Sequence, residues 1–137
     1  MLSKLLRLTG FLILTVILIQ VIWYQIDGLP TPEADQYLAG EGFTVTAGDD
    51  GSFWFEPASP NGAGIVIMHG ALILPKSYAQ SAAFFAARGF NVFLPKGALR
   101  MSIAATGSTA ERIAASNIRQ WFFIGHSMGG MACLLYT

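Results

Sequence analysis

Between Leu8 and Ile26 the chain carries no charged residue, and the run LTGFLILTVILIQVIWYQI is dominated by Leu, Ile and Val. Nineteen residues in a helix rise about 30 Å, enough to cross the hydrocarbon of a bilayer. This run constrains the fold more than any other feature. It leaves only about 110 of the 137 residues for everything else, room for one small domain. Trp23 and Tyr24 stand at its far end, where amphipathic rings favour the headgroup layer. Lys4 and Arg7 precede it, and Asp27, Glu33 and Asp35 follow. The positive-inside rule therefore places the amino terminus in the cytoplasm. Everything after Asp27 is then periplasmic or extracellular, on a single-pass membrane protein. A cleavable signal peptide is the competing reading. Its apolar stretch would be shorter and would end at a small-residue site. Here the end is Val21-Ile22-Trp23-Tyr24-Gln25, so residues 1–26 are expected to be an uncleaved signal anchor.

Charge narrows the function classes. Eight Lys/Arg balance eight Asp/Glu, which argues against a nucleic-acid binder driven by bulk charge. With 53% hydrophobic and 12% charged residues, the chain is not of the disordered class. The distribution is uneven. Residues 27–56 hold seven acids and no base, whereas residues 57–137 hold six bases and Glu111 as their one acid. The acidic block is expected to keep a linker and a hairpin solvated. The single Cys133 rules out an internal disulfide and a Cys-cluster zinc site. No cofactor or metal is expected, and the G-x-G-x-x-G fingerprint of dinucleotide sites does not occur.

Residues 27–40, with Pro30 and Pro32 among acids, read as a linker. Residues 42–47 and 52–56 are β-rich and flank Asp49-Asp50-Gly51, which predicts a hairpin. Gly64–Met68 is a short continuous apolar run, the pattern of a strand buried on both faces. Residues 75–88 have helical spacing, with Pro75 at the start and Gly89 as a stop. Residues 90–94 form the next strand. Ser108 followed three residues later by Glu111 predicts an N-capped helix over 109–115. Residues 121–124 form a third apolar strand, and Met128 opens a helix. Strands alternating with helices imply an α/β fold with a mostly parallel sheet covered on both faces.

Gly125-His126-Ser127-Met128-Gly129 is G-x-S-x-G, placed between an apolar strand and a helix. That context predicts a sharp turn with Ser127 held proud of the sheet as a nucleophile. Side chains two residues before and after it would collide, hence Gly125 and Gly129. The bland alternative is that Ser127 is an ordinary N-cap. Acyl transfer also needs two N–H donors aimed at the developing oxyanion. Met128 supplies one. The other is expected from His69-Gly70-Ala71, directly after the first apolar strand, with Ala71 as the donor and Leu72 as its alternative. A plain strand-to-helix turn is the competing account of that tripeptide. His126 lies on the elbow beside Ser127 and is expected to be packed behind it. His69 is expected to brace the oxyanion loop, with Gly70 letting the backbone come close. Neither suits the role of general base. Lys96, after the second parallel strand, is expected to be solvated, and Cys133 to be a small core residue.

Residues 64–135 resemble the alpha/beta-hydrolase fold family, and in detail a bacterial subgroup related to dienelactone-hydrolase-like enzymes. The matching pieces are Gly70-Ala71 with Pro75 and Tyr78, Ala87-Arg88-Gly89-Phe90, Leu94-Pro95-Lys96, and residues 125–130. The resemblance implies the amino-terminal half of that family's sheet: a β-hairpin, then parallel β-α-β-α-β-α, preceded by one transmembrane helix. The expected division is an anchor over 1–26, a linker over 27–40 and a partial hydrolase domain over 41–137. The implied activity is that of a serine hydrolase using an acyl-enzyme and acting on a small ester or related acyl compound. Ser127 would be the nucleophile, with Met128 and Ala71 as the oxyanion hole. Dienelactone hydrolases use Cys as nucleophile, so that substrate does not carry over. A non-catalytic membrane-tethered or degenerate relative is the alternative.

In that family an acid and then a His follow the nucleophile. Residues 128–137 read MGGMACLLYT and contain neither. The expectation is an amino-terminal fragment with little hydrolysis of its own. The strand 121–124 would then be an exposed apolar edge.

Overall fold

The computed structural model describes residues 2–26 and 28–136. Asp27, the first residue of the expected linker, and the chain ends Met1 and Thr137 lie outside the described residues. Helix α1 spans Leu2–Ile26 and is the one described helix long and apolar enough to cross a membrane. Its window of highest hydropathy buries none of its residues against the rest of the protein.

The remaining strands are β1 (Phe43–Ala47), β2 (Phe53–Pro57), β3 (Ala63–Met68), β4 (Asn91–Leu94) and β5 (Gln120–Gly125). They form one sheet in the order β1-β2-β4-β3-β5. The hairpin pair is antiparallel, β2 meets β4 antiparallel, and β3 runs parallel to both β4 and β5. The hairpin tip closes through Gly51 N–H to the Gly48 carbonyl (2.8 Å), with Gly51 at φ +85. Asp50 Oδ1 accepts the Ser52 N–H at 2.9 Å, an Asx turn. Lys96 is exposed, and its side chain lies over this tip against Gly51.

Alternation along β3 divides the core between the two faces of the sheet. Ile65 and Ile67 face helix α2 (Ala79–Ala86), together with Phe55, Val92 and Leu94. Four alanines (79, 82, 83, 86) form the buried stripe of α2, and their small size lets the helix lie close on the sheet. Val66 and Met68 face the other way, with Phe93 and Ala132 of helix α4 (Met128–Cys133). Trp54, Trp121 and Phe123 fill the margin of that second cluster. Cys133 is half-buried at the same margin, and burial pushes its thiol above its usual value.

Several elements differ from the sequence expectation. The stretch 75–88 begins as a 3-10 turn, Pro75–Tyr78, and only then becomes α2. Its end has Phe90 N–H bonded to the Phe85 carbonyl and Gly89 N–H to that of Ala86, with Gly89 at φ +89. That is a Schellman closure, and it needs the glycine. Helix α3 runs Thr106–Ala114, three residues ahead of the expected start. A 3-10 turn over Ser102–Ala105 feeds directly into it. Ser108 is therefore inside the helix, not its cap, and its hydroxyl bonds back to the Ala105 carbonyl (3.1 Å). The stretch read as a linker contains a 3-10 helix, Pro32–Leu38, with Ala34 buried. Tyr37 and Leu38 pack on the α2 cluster, and Asp35 pairs with Lys76.

Candidate active site

The site lies where β3 and β5 end side by side, with Met68 opposite Gly125 in register. The chain leaves β5 through His126, whose N–H donates to the Met68 carbonyl (3.2 Å). Ser127 follows at φ 53, ψ −120, a backbone that L-residues occupy only under strain. It precedes α4 and is exposed. Ser127 occupies the N-cap position of α4, and its hydroxyl bonds no helix N–H there.

The two glycines are required by contact. A Cβ on Gly125 would overlap the backbone of Gly129 and Gly130. One on Gly129 would overlap the Met68 carbonyl oxygen and stand 2.9 Å from that of His69. The start of α4 thus rests directly on the end of β3, and this contact draws the elbow and the 69–72 loop together.

The loop after β3 has most of its donors committed. Gly70 N–H donates to the Tyr78 hydroxyl at 3.0 Å. Leu72 N–H donates to the Arg100 carbonyl at 2.8 Å, with Leu72 at φ 63. Ala71 N–H makes no hydrogen bond among the described residues, and neither does Met128 N–H. Met128 and Ala71 are the residues the sequence offers as donors, while the N–H of Leu72, the alternative to Ala71, is engaged by the Arg100 carbonyl.

The histidines divide differently from the expectation in one respect. His69 is fully buried, with Nδ1 2.8 Å from the Gly70 carbonyl. Burial holds its pKa below the usual histidine value. With Nδ1–H donating to that carbonyl, Nε2 is left as a buried acceptor without a partner among the described residues. His126 is not packed behind the nucleophile. It is exposed, and its Nδ1 lies 2.9 Å from the Tyr78 hydroxyl. Since that hydroxyl already accepts from Gly70, its own hydrogen is free for Nδ1. Neither ring makes a hydrogen bond with Ser127 among the described residues.

Two site residues escaped the sequence reading. Tyr78 stood in view as part of the Gly70-to-Tyr78 spacing, but its hydroxyl role needs the fold. Arg100 had no local signal, because its partners are far away in sequence. Among the described residues no three His, Cys, Asp or Glu side chains gather into a metal site. A depression of about 450 Å³ lies among Trp54, Glu56, Asn91, Arg112 and residues 115–118. It opens at the amino-terminal ends of the parallel strands, away from Ser127.

A family model described as "Alpha/beta hydrolase family" matches residues 64–136, which is 73 of the 137 residues. No curated protein and no solved structure matches the chain.

Proposed function

The chain belongs to the alpha/beta hydrolase family, and on that premise we propose that it is a membrane-anchored serine hydrolase of esters or related acyl compounds. The observation that carries this reading is the exposed Ser127 on a strained strand-to-helix turn, beside two uncommitted N–H groups, those of Met128 and Ala71. Ser127 Oγ attacks the substrate carbonyl carbon. The oxyanion that forms accepts hydrogen bonds from Met128 and Ala71. Collapse breaks the ester C–O bond and leaves an acyl-enzyme. The leaving alkoxide takes up the proton that Ser127 Oγ gives up and departs as the alcohol, and water then hydrolyses the acyl-enzyme to the acid and free Ser127. The Gly70-Ala71, Pro75 and Tyr78 spacing supports the finer likeness to the dienelactone-hydrolase-like subgroup, with Ser in place of Cys.

Helix α1 anchors the enzyme, with Lys4 and Arg7 on the cytoplasmic side and the hydrolase part outside. Ser127 has no general base among the described residues, and an unactivated hydroxyl is a weak nucleophile. A purified chain of these 137 residues is therefore expected to turn over p-nitrophenyl esters negligibly. The decisive test is fluorophosphonate labelling in native membranes. Covalent modification of Ser127, lost in Ser127→Ala, is the expected result. Absence of labelling there would favour a second reading, a non-catalytic tethered relative, which the lack of a partner for the Ser127 hydroxyl among the described residues also suits.

A further inference from the structure

The carboxyl-terminal end of α1 is fastened to the loop that carries Ala71. Arg100 Nη1 donates to the Tyr24 carbonyl at 2.6 Å, and its guanidinium lies over the Tyr24 ring, 4.6 Å from the centroid. The Gly28 carbonyl accepts Leu74 N–H at 2.9 Å. Gly28 itself sits at φ +69, so close that a Cβ would overlap the Leu72 carbonyl and stand 2.8 Å from Ile73 Cα. The Arg100 carbonyl in turn holds Leu72 N–H. The end of α1, the 70–74 loop and the 98–101 turn thus form one unit beside Ser127.

Its surface is unusual for a protein facing water. Leu99 is 78% exposed at φ 52, and Leu29 is also exposed. A left-handed leucine carries about 1–2 kcal/mol of strain, and water offers no compensating burial. Leu72, also left-handed, forms with Val16, Ile17, Val21 and Tyr24 an apolar groove of about 370 Å³. Exposed leucines beside the end of an apolar helix of membrane-spanning length suit the headgroup and acyl boundary of a bilayer.

We propose that this unit lies in the membrane interface with Leu29 and Leu99 in the lipid, and that the adjacent site takes the ester of a membrane lipid whose acyl chain occupies the groove between α1 and Leu72. The proposal rests on the anchored-hydrolase reading, and its test needs no turnover.

The full chain, with Cys133→Ser as background, is reconstituted in phosphatidylcholine vesicles. Ile17→Cys, Leu99→Cys and Asn117→Cys are each labelled with an environment-sensitive fluorophore, and doxyl-labelled phosphatidylcholine is the quencher. Residues 17 and 99 should both be quenched about threefold or more above residue 117, as expected for groups sunk below the headgroups. Quenching at 17 with 99 no better than 117 overturns the proposal and leaves the anchor standing. Quenching at neither overturns the anchor and the proposal together. A phosphatidylcholine with a photoreactive acyl chain then probes the groove. Adducts should map to residues 70–74 and fall several-fold in Leu72→Asp, with quenching at residue 17 unchanged. Adducts confined to α1, with none in that loop, overturn the substrate assignment, and Ser127 labelling reads the hydrolase chemistry separately.

Discussion

Strands β3 and β5 lie side by side, each six residues long and each strongly apolar, yet their surroundings are opposite. All of β3 after Ala63 is buried, whereas β5 alternates between exposed and half-buried. Ile67 and Ile124 are direct partners across the pair, one 3% and the other 40% exposed. The difference is one of neighbours. β3 is hydrogen-bonded on both edges and covered on both faces. Among the described residues β5 is bonded on one edge only. Apolar content therefore marks a segment as strand without saying what covers it. The candidate site straddles this seam, with the 69–72 loop on the enclosed strand and the Ser127 turn on the open one.

The largest effect should come from disturbing the contact that joins the two. Gly129→Val drives a side chain into the Met68 carbonyl and should cost about 3 kcal/mol or more, read from the urea midpoint. Gly130→Ala, one residue on, meets nothing closer than 3.8 Å. It should be neutral or gain about 0.5–1 kcal/mol as a helical glycine replaced by alanine. If both glycines responded alike, packing against β3 would not be what fixes the elbow.

Next in size is the partnered pair. Ile67→Ala should cost about 2–5 kcal/mol, and Ile124→Ala about 1 kcal/mol or less. Equal losses would show that β5 is covered in the working protein and would erase the contrast.

Ser127→Gly should be more stable by about 1 kcal/mol, since glycine accepts the strained φ and ψ, while fluorophosphonate labelling disappears. Stability lost together with labelling would argue against strain at that turn.

The smallest effect is the pH response of the enclosed strand's end. Burial keeps the folded His69 neutral, with its pKa below the usual 6.5. As pH falls through about 6.5, the unfolded chain binds a proton that the folded chain does not, so stability is level above that pH and declines below it. His69→Gln should flatten the decline between about pH 7.5 and 5.5, a window in which carboxylates of ordinary pKa do not titrate. An unchanged slope would assign the titration elsewhere.

Much of this was legible in the chain because it is governed locally. The buried run at β3, the hairpin with Asp50 and Gly51 at its tip, the stop at Gly89 and the G-x-S-x-G turn all follow from spacing over a few residues. The start of α3 was missed because Ser108 and Glu111 mimic a capping box, while the preceding 3-10 turn had already begun the helix. The packing of Pro32–Leu38 was hidden by its prolines and acids, which resemble a linker until α2 supplies a surface. The orientation of His126 depended on Tyr78, 48 positions away. The fastening of Tyr24 to Arg100 left no trace in either neighbourhood.

That last contact joins positions 76 apart, and so it also sets an order in time. Ribosomes add about 5–20 residues per second, so Arg100 emerges roughly 4–15 s after Tyr24. An anchor delivered to the bilayer on emergence would wait through that interval with the 70–74 loop unfastened. On the proposed reading, the loop that carries Ala71 would then take its final shape only at the membrane, after the chain had already arrived there.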